Sequence, residues 1–443
     1  MVKIYCPSGY TYRNRGDALL ILSLDAVLQE RFGTDSNRIY STMTPQIDSE
    51  FYGLTCVPLV AQMNGPYFRR VARLARLTRR PDRPYVLATA ALLPVIFLWA
   101  CLARFNSGAA LRLLPSASRA SMRPIVEADV VVAVPGGYLL APVVSNKAIV
   151  SHVVTLATAT FLGKKVTLSP CSIGPAAGWY EPLLAWLLRR VDVIVVREKT
   201  SLGWVREHVG AKAEVVLATD VAFVDAVPAE PLGRELKPGT IGISVKRHSY
   251  PRSKDPGASH ASYVREIAQF VEHLPTDREV VFVPQVTAGG DNDLLVAEQV
   301  VELLPAEVRS RVTIEDPELT PGQLRSLYGQ VDVLVGTRMH ANILSLLART
   351  PVVAIAYEAK TRGIMSRLGL ENYVIDIEDV TAVELKRRLE EVQATRAGYL
   401  TLLEERLPGM RQEAGSWLRP PADVQPALRA PLSETATGVK NTG

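Results

Sequence analysis

Cysteine is scarce in this chain. Cys6, Cys56, Cys101 and Cys171 lie far apart among 443 residues and form no C-x-x-C pair. A zinc site and a disulfide framework therefore have no basis in the sequence. Also missing are G-x-G-x-x-G and G-K-[ST], the glycine-rich turns that cradle dinucleotides and nucleoside triphosphates. No cofactor and no metal are expected. A strong charge of one sign is absent too, since 50 Lys and Arg stand against 45 Asp and Glu for a net charge of +5. Charges this mixed argue against a nucleic-acid partner but suit an anionic small substrate or an acidic membrane surface. The opening residues read as a strand, without a basic stretch followed by an apolar one, so no secretory signal is expected. The expected location is the cytoplasm, with room for association with the inner face of the cell membrane.

What is there is globular. The length suits two domains, and 48% hydrophobic residues with 21% charged supply sizeable cores. Short apolar runs at 2–6, 129–134, 165–168, 192–196 and 214–217 alternate with helical segments near 17–32, 147–162, 180–190 and 200–209. Such runs suit parallel strands buried on both faces. A second series follows, with strands near 240–246, 279–284, 311–315, 331–335, 352–356 and 373–376. The expected fold is α/β, two Rossmann-like doubly wound domains facing across a cleft in a GT-B-like arrangement. Residues 1–227 form the first domain, the Pro/Gly-rich stretch 228–239 a linker, 240–419 the second domain and 420–443 a disordered tail.

One segment breaks the pattern. From Pro84 to Ala103 no residue is charged, and Arg69, Arg70, Arg73, Arg76, Arg79, Arg80 and Arg83 precede it. The length meets the criterion for a membrane span, yet a single crossing would part the first strand from its own sheet. A buried helix, a re-entrant element and an interfacial helix stay open, the last giving peripheral membrane contact through residues 69–104. Pro94 at its centre predicts a kink.

The richest stretch for chemistry is VDVLVGTRMHANILSLLARTPVVAIAYEAKTRG, residues 331–363. A strand ends near Gly336, and Arg338 and His340 enter the first turn of a helix. That turn offers free N–H groups and a positive dipole end to an anion, and Arg338 adds a planar fork for carboxylate or phosphate. The next strand ends at Tyr357, and Lys360 with Arg362 opens the following helix, so two strand ends converge on one basic pocket.

These residues resemble the C-terminal signature of the polysaccharide pyruvyl transferase family: G-T-R-M-H-A, then P-V-V-A-I-A-Y-E-A-K. Further pieces resemble that family in order, namely Asn14-x-Gly16-Asp17, Pro135-Gly136-Gly137 with a proline in place of one glycine, Ser172-Ile173-Gly174-Pro175, Arg197-Glu198-x-x-Ser201 and Ala218-Thr219-Asp220. The resemblance covers roughly residues 1–370 apart from 60–125. It implies a ketal pyruvyltransferase that moves a pyruvyl group from phosphoenolpyruvate to two hydroxyls of a glycan or lipid-linked saccharide, in cell-surface polysaccharide or glycolipid synthesis. In that chemistry Arg338, Arg197 and Lys360 are the clamp candidates for the donor's anionic groups and His340 the acid or base. Asn14, Asp17, Gly136, Gly137 and Tyr357 are candidate substrate contacts.

Plainer readings stand beside these. Arg338 can tie a sheet edge to a carboxylate, Arg197 can pair with Glu198 or Asp192, and Asp17 can complement its helix dipole. Asp291-Asn292-Asp293 looks like a metal-binding D-x-D but immediately precedes a helical run and reads as a cap. His152, His208 and His273 fall on helices with no evident partner, while His248 and His260 flank a polar loop placed to cover the cleft. Paired α/β domains also serve nucleotide-sugar glycosyltransferases, the alternative function, and a non-enzymatic scaffold is a third.

Overall fold

The computed structural model describes residues 1–60, 73, 82–141, 147–176, 178, 180–210, 213–251, 253–287, 291–315 and 318–419. Strands β1 (Lys3–Cys6), β2 (Asn37–Thr42), β3 (Thr55–Pro58), β4 (Val130–Ala133), β5 (Gly136–Ala141), β6 (Lys165–Ala176), β7 (Val193–Val196) and β8 (Glu214–Leu217) form one sheet. Its order is β3-β2-β1-β4-β6-β7-β8, with β5 paired beside β6. A second sheet holds β9 (Ile241–Ser244), β10 (Val280–Phe282), β11 (Val312–Ile314), β12 (Val333–Gly336), β13 (Val352–Ala356) and β14 (Val374–Asp376). It runs β11-β10-β9-β12-β13-β14, the doubly wound order of a Rossmann fold.

All strand pairings within both sheets are parallel. Burial on both faces is why β4, β9, β12 and β13 contain no charged residue. Strand order reverses between β1 and β4 and again between β9 and β12, and each reversal opens a crevice at the carboxyl ends. Three strands escape the sequence reading. β2 (NRIYST) mixes polar with apolar residues, β3 lies at the sheet edge, and Gly136-Gly137, expected to be a turn, opens β5.

Residues 228–239 carry no helix or strand. The halves they join are not independent, because one buried apolar cluster runs from Ile4 and Leu24 through Phe223 to Val335 and Leu403. The last helix, Arg396–Ser416, crosses back onto the turn Val221–Val224. There Arg31 donates to the Gly415 carbonyl at 3.0 Å, and Asp225 accepts from both Arg325 and Arg411.

The uncharged segment is one helix, Asp82–Phe105, with Pro94 inside it, and it packs along the helix Lys147–Phe161. Leu87–Phe105 is long and apolar enough to cross a membrane, with mean hydropathy 1.9, and 22% of it is buried. Ala88, Ala100 and Ala103 face inward while Leu87, Val95, Phe97 and Leu98 stand exposed, so a helix buried within this chain is not what forms. The arginines expected to lead into it, apart from Arg73 and Arg83, and the tail 420–443 lie outside the described residues.

Candidate functional site

Turns following β1, β4, β7, β12 and β13 meet between the two sheets around a cleft of about 140 Å³. Its lining includes all the clamp, acid–base and contact candidates: Asn14, Asp17, Gly136, Gly137, Arg197, Arg338, His340, Tyr357 and Lys360. Arg362 does not join them and pairs with Asp376 at 2.8 Å.

The loop after β1 is built by Asn14. Its side-chain oxygen accepts from the backbone N–H of Gly16 (3.1 Å) and Asp17 (3.3 Å), capping the helix Arg15–Phe32 and aiming its positive end at the cleft. The Asn14 amide donates to the Asp17 carboxylate at 2.6 Å. Removal from water pushes the Asp17 carboxyl up to about 6, although Arg197, Lys360 and Arg338 pull the other way. Gly16 has a different task. A β-carbon there would lie 2.3 Å from His340 Nδ1, so the imidazole of the second half rests on bare backbone of the first. The halves are also tied by Arg15 N–H donating to the Gln285 carbonyl (2.9 Å) and Thr287 N–H to that of Arg13 (3.0 Å).

His340 opens the helix Met339–Leu347, whose N-cap is Arg338. Burial pushes its pKa down to about 4, against the pull of Asp220, whose carboxylate lies 3.9 Å from Nε2. The imidazole is therefore neutral near pH 7 and is set to take a proton.

Arg338 departs from expectation. Its guanidinium is not an open fork, because Nε reaches Asp293 at 2.9 Å, Nη2 reaches Asp293 at 2.5 Å and Asp291 at 2.8 Å, and Nη1 reaches Asp291 at 3.0 Å. The reading that it ties a sheet edge to a carboxylate describes the geometry better than the clamp. Asp293, fully buried, also accepts from the N–H groups of Gln285 and Val286 at 3.0 and 2.9 Å. Arg338 thus fixes the loop that closes the cleft floor. Within Asp291-Asn292-Asp293 the cap is Asn292, accepting from Leu294 N–H at 3.0 Å, and the flanking aspartates hold the arginine.

Arg197 is nearly buried. Nη1 pairs with Asp220 at 2.6 Å and Nε donates to Ser172 Oγ at 3.0 Å, with Glu198 at 3.7 Å. Asp192 is not its partner and pairs instead with Lys165 at 3.3 Å. Arg197 Nη2 lies 3.8 Å from where a Gly137 β-carbon would stand and has no hydrogen-bond partner among the described residues, which leaves it for a ligand. Lys360 Nζ sits 2.6 Å from Glu358 and, like Lys246, near the face of Tyr357, at 5.9 and 5.1 Å from its centroid. Burial would strip the Lys360 proton, but Tyr357 and Glu358 hold its pKa above the usual lysine value.

Sequence reasoning gave no site role to Asp220 or Lys246, and gave Asp291 and Asp293 only that of a helix cap. The first had a signal, its place in the Ala218-Thr219-Asp220 turn, whereas carboxylates matched to buried arginines carry no local pattern. Two histidines set aside as unpartnered do have partners. His152 Nδ1 lies 2.8 Å from Ser8 Oγ, and His208 Nδ1 lies 2.9 Å from the Trp204 carbonyl. His248 lies with its ring tilted against Tyr357 at 5.5 Å, bringing the start of the polar loop to the cleft. Among the described residues no group of three His, Cys, Asp or Glu side chains is placed to hold a metal ion.

A family model described as polysaccharide pyruvyl transferase matches residues 14–359, which takes in all the cleft candidates except Lys360. The amylovoran biosynthesis protein AmsJ of Erwinia amylovora is 26% identical over 231 residues, 49% of this chain and 55% of AmsJ, so the chain spans about half the length of that relative. Among solved structures, the S. aureus MnaA–UDP co-structure superposes with a TM-score of 0.56 at 10% identity, covering 94% of both chains. An α,α-trehalose 6-phosphate synthase from Burkholderia multivorans gives 0.52 at 11% over 94% of each. Anabaena HepE in complex with UDP-glucose gives 0.51 at 11% over 93% of this chain and 95% of its own. At these identities the likeness is one of fold, two Rossmann-like α/β domains across a cleft in the GT-B-like manner.

Proposed function

Because the chain belongs to the polysaccharide pyruvyl transferase family, we propose that this transferase moves a pyruvyl group from phosphoenolpyruvate to two hydroxyls of a glycan, forming a ketal and releasing phosphate. The observation that carries the reading is a single cleft holding a carboxyl with its pKa near 6, a neutral imidazole and the unsatisfied edge of Arg197. Phosphoenolpyruvate needs protonation at its methylene carbon, which makes the central carbon electrophilic. Asp17 is the acid, since a carboxyl raised this far still holds a proton at mildly acidic pH. One sugar hydroxyl attacks that carbon and gives its proton to His340. The bond to phosphate breaks, a second hydroxyl closes the ring, and its proton leaves with the phosphate. Arg197 Nη2, Lys360 and the helix starts at Asn14 and Arg338 hold the donor's carboxylate and phosphate. Arg338 acts through Asp291 and Asp293 as a positioning residue. The acceptor is a glycan or lipid-linked saccharide met at the inner face of the cell membrane, and AmsJ, a protein of amylovoran biosynthesis, is consistent with a place in polysaccharide assembly.

The test is phosphate release from phosphoenolpyruvate across a panel of sugar acceptors, with His340→Ala and Asp17→Asn beside the wild type. Acceptor-dependent release that falls at least roughly a hundredfold in both variants supports the assignment. Turnover of a nucleotide sugar, with no phosphate released from phosphoenolpyruvate by any acceptor, replaces it with a glycosyltransferase.

A further inference from the structure

A second concavity, about 720 Å³, lies among the helices Asp82–Phe105, Lys147–Phe161 and Tyr180–Leu188, with none of its lining residues shared with the cleft. We propose that this face docks on the surface of an anionic phospholipid bilayer. The inference goes beyond the transfer reaction and stands whether or not phosphoenolpyruvate is the donor.

The floor is an aromatic ladder. Phe97 meets Phe161 edge-on at 5.3 Å, and Phe161 meets Trp186 at 6.0 Å, with Leu93 beside them. Outside it Leu87, Val95 and Leu98 are 56, 60 and 68% exposed, on an apolar helix of which only 22% is buried, and exposed apolar side chains on one helix beside an apolar groove mark a contact surface. The rim supplies the charge. The Arg190 guanidinium lies 3.9 Å over the Trp186 ring, and Arg104 lies against Gly163. Neither arginine forms an ion pair with a carboxylate among the described residues, and no acidic residue lines the groove. Apolar side chains at the acyl boundary, tryptophan at the interface and arginines on lipid phosphates are the elements of interfacial attachment.

A second copy of the chain fits less well, since a self-complementary contact between like faces brings the unpaired arginines of both copies into one apolar interface. Crossing the bilayer is excluded by register. Ile4 pairs with Val130 and Tyr5 with Val131, on either side of the helix in sequence, so a single passage would divide one sheet between two compartments. Docking also leaves the cleft free. Arg190 precedes β7 and Gly163 precedes β6, which puts the rim at the amino-terminal edge of the sheet, while the cleft opens at the carboxyl edge.

The experiment is co-sedimentation of the full chain with phosphatidylcholine vesicles and with mixed phosphatidylglycerol–phosphatidylcholine vesicles, alongside its mass in solution. Binding to the mixed vesicles that weakens with salt is expected, with Arg104→Glu plus Arg190→Glu reducing it roughly tenfold or more and Phe97→Glu plus Leu98→Glu abolishing it. Unchanged melting of both variants shows that they fold, as substitution at exposed sites should allow. No binding to either vesicle overturns the proposal. Binding that the variants leave intact overturns it too, as does self-association lost in the same variants without vesicle binding.

Discussion

At the scale of single residues, the cleft pairs two groups moved in opposite directions by the same cause. Burial raises the Asp17 carboxyl to about 6 and lowers His340 to about 4, because removal from water disfavours the charged form of each. If Asp17 is the acid, kcat/KM falls as the pH rises through about 6 and its proton is lost. Asp17→Asn should be slower by about 10² to 10⁴ and lose that limb, which pH-rate profiles of the two proteins decide. Gly16 gives a steric counterpart. With His340 Nδ1 2.3 Å from the site of a new β-carbon, Gly16→Ala must displace the imidazole. We expect at least a tenfold loss of activity with the circular dichroism spectrum unchanged, whereas wild-type rates would show that the ring's seat is immaterial. Both residues were legible in the sequence as members of a motif. Their protonation was not, since it depends on Arg197, Lys360 and Asp220, which come from other turns.

Secondary-structure elements show what sequence could place and what it could not. Helix starts and apolar strands are local properties, and the runs at β4, β8 and β13 fall within a residue or so of their expected positions. β2 was missed because its alternation is weak, and β5 because Gly-Gly argues for a turn. The D-x-D before the helix Asp293–Glu302 was read as a cap, and only Asn292 does that work. Its neighbours hold the start of another helix through Arg338, a tertiary match with no local pattern. Removing the arginine leaves buried Asp293 without its counter-charge, so Arg338→Ala should lose about 3–5 kcal/mol of stability in urea unfolding. A loss under about 1 kcal/mol would mean that the pair is not what holds the loop.

The whole molecule is joined more tightly than its division at residues 228–239 suggests. The returning helix Arg396–Ser416 and the clasp of Asp225 with Arg325 and Arg411 tie the halves together behind the cleft. Asp225→Asn should lower stability by roughly 1.5–3 kcal/mol, seen as an earlier urea midpoint, and leave the pKa values in the cleft untouched. An unchanged midpoint would remove the clasp from the account. That the chain forms two doubly wound units was legible, since alternating strands and helices admit few other architectures. How the last helix crosses back was not, because the side chains it buries, Tyr399, Leu403, Leu407, Met410 and Ala414, do not name their partner. The parallel pairing carries a consequence for synthesis. β1 is made well before β4, and Ile4 finds Val130 only after more than a hundred further residues have been added. Translation delivers the whole apolar helix in the meantime, so the nascent chain carries that exposed apolar stretch before β1 and β4 can pair, an order set by the topology of the sheet.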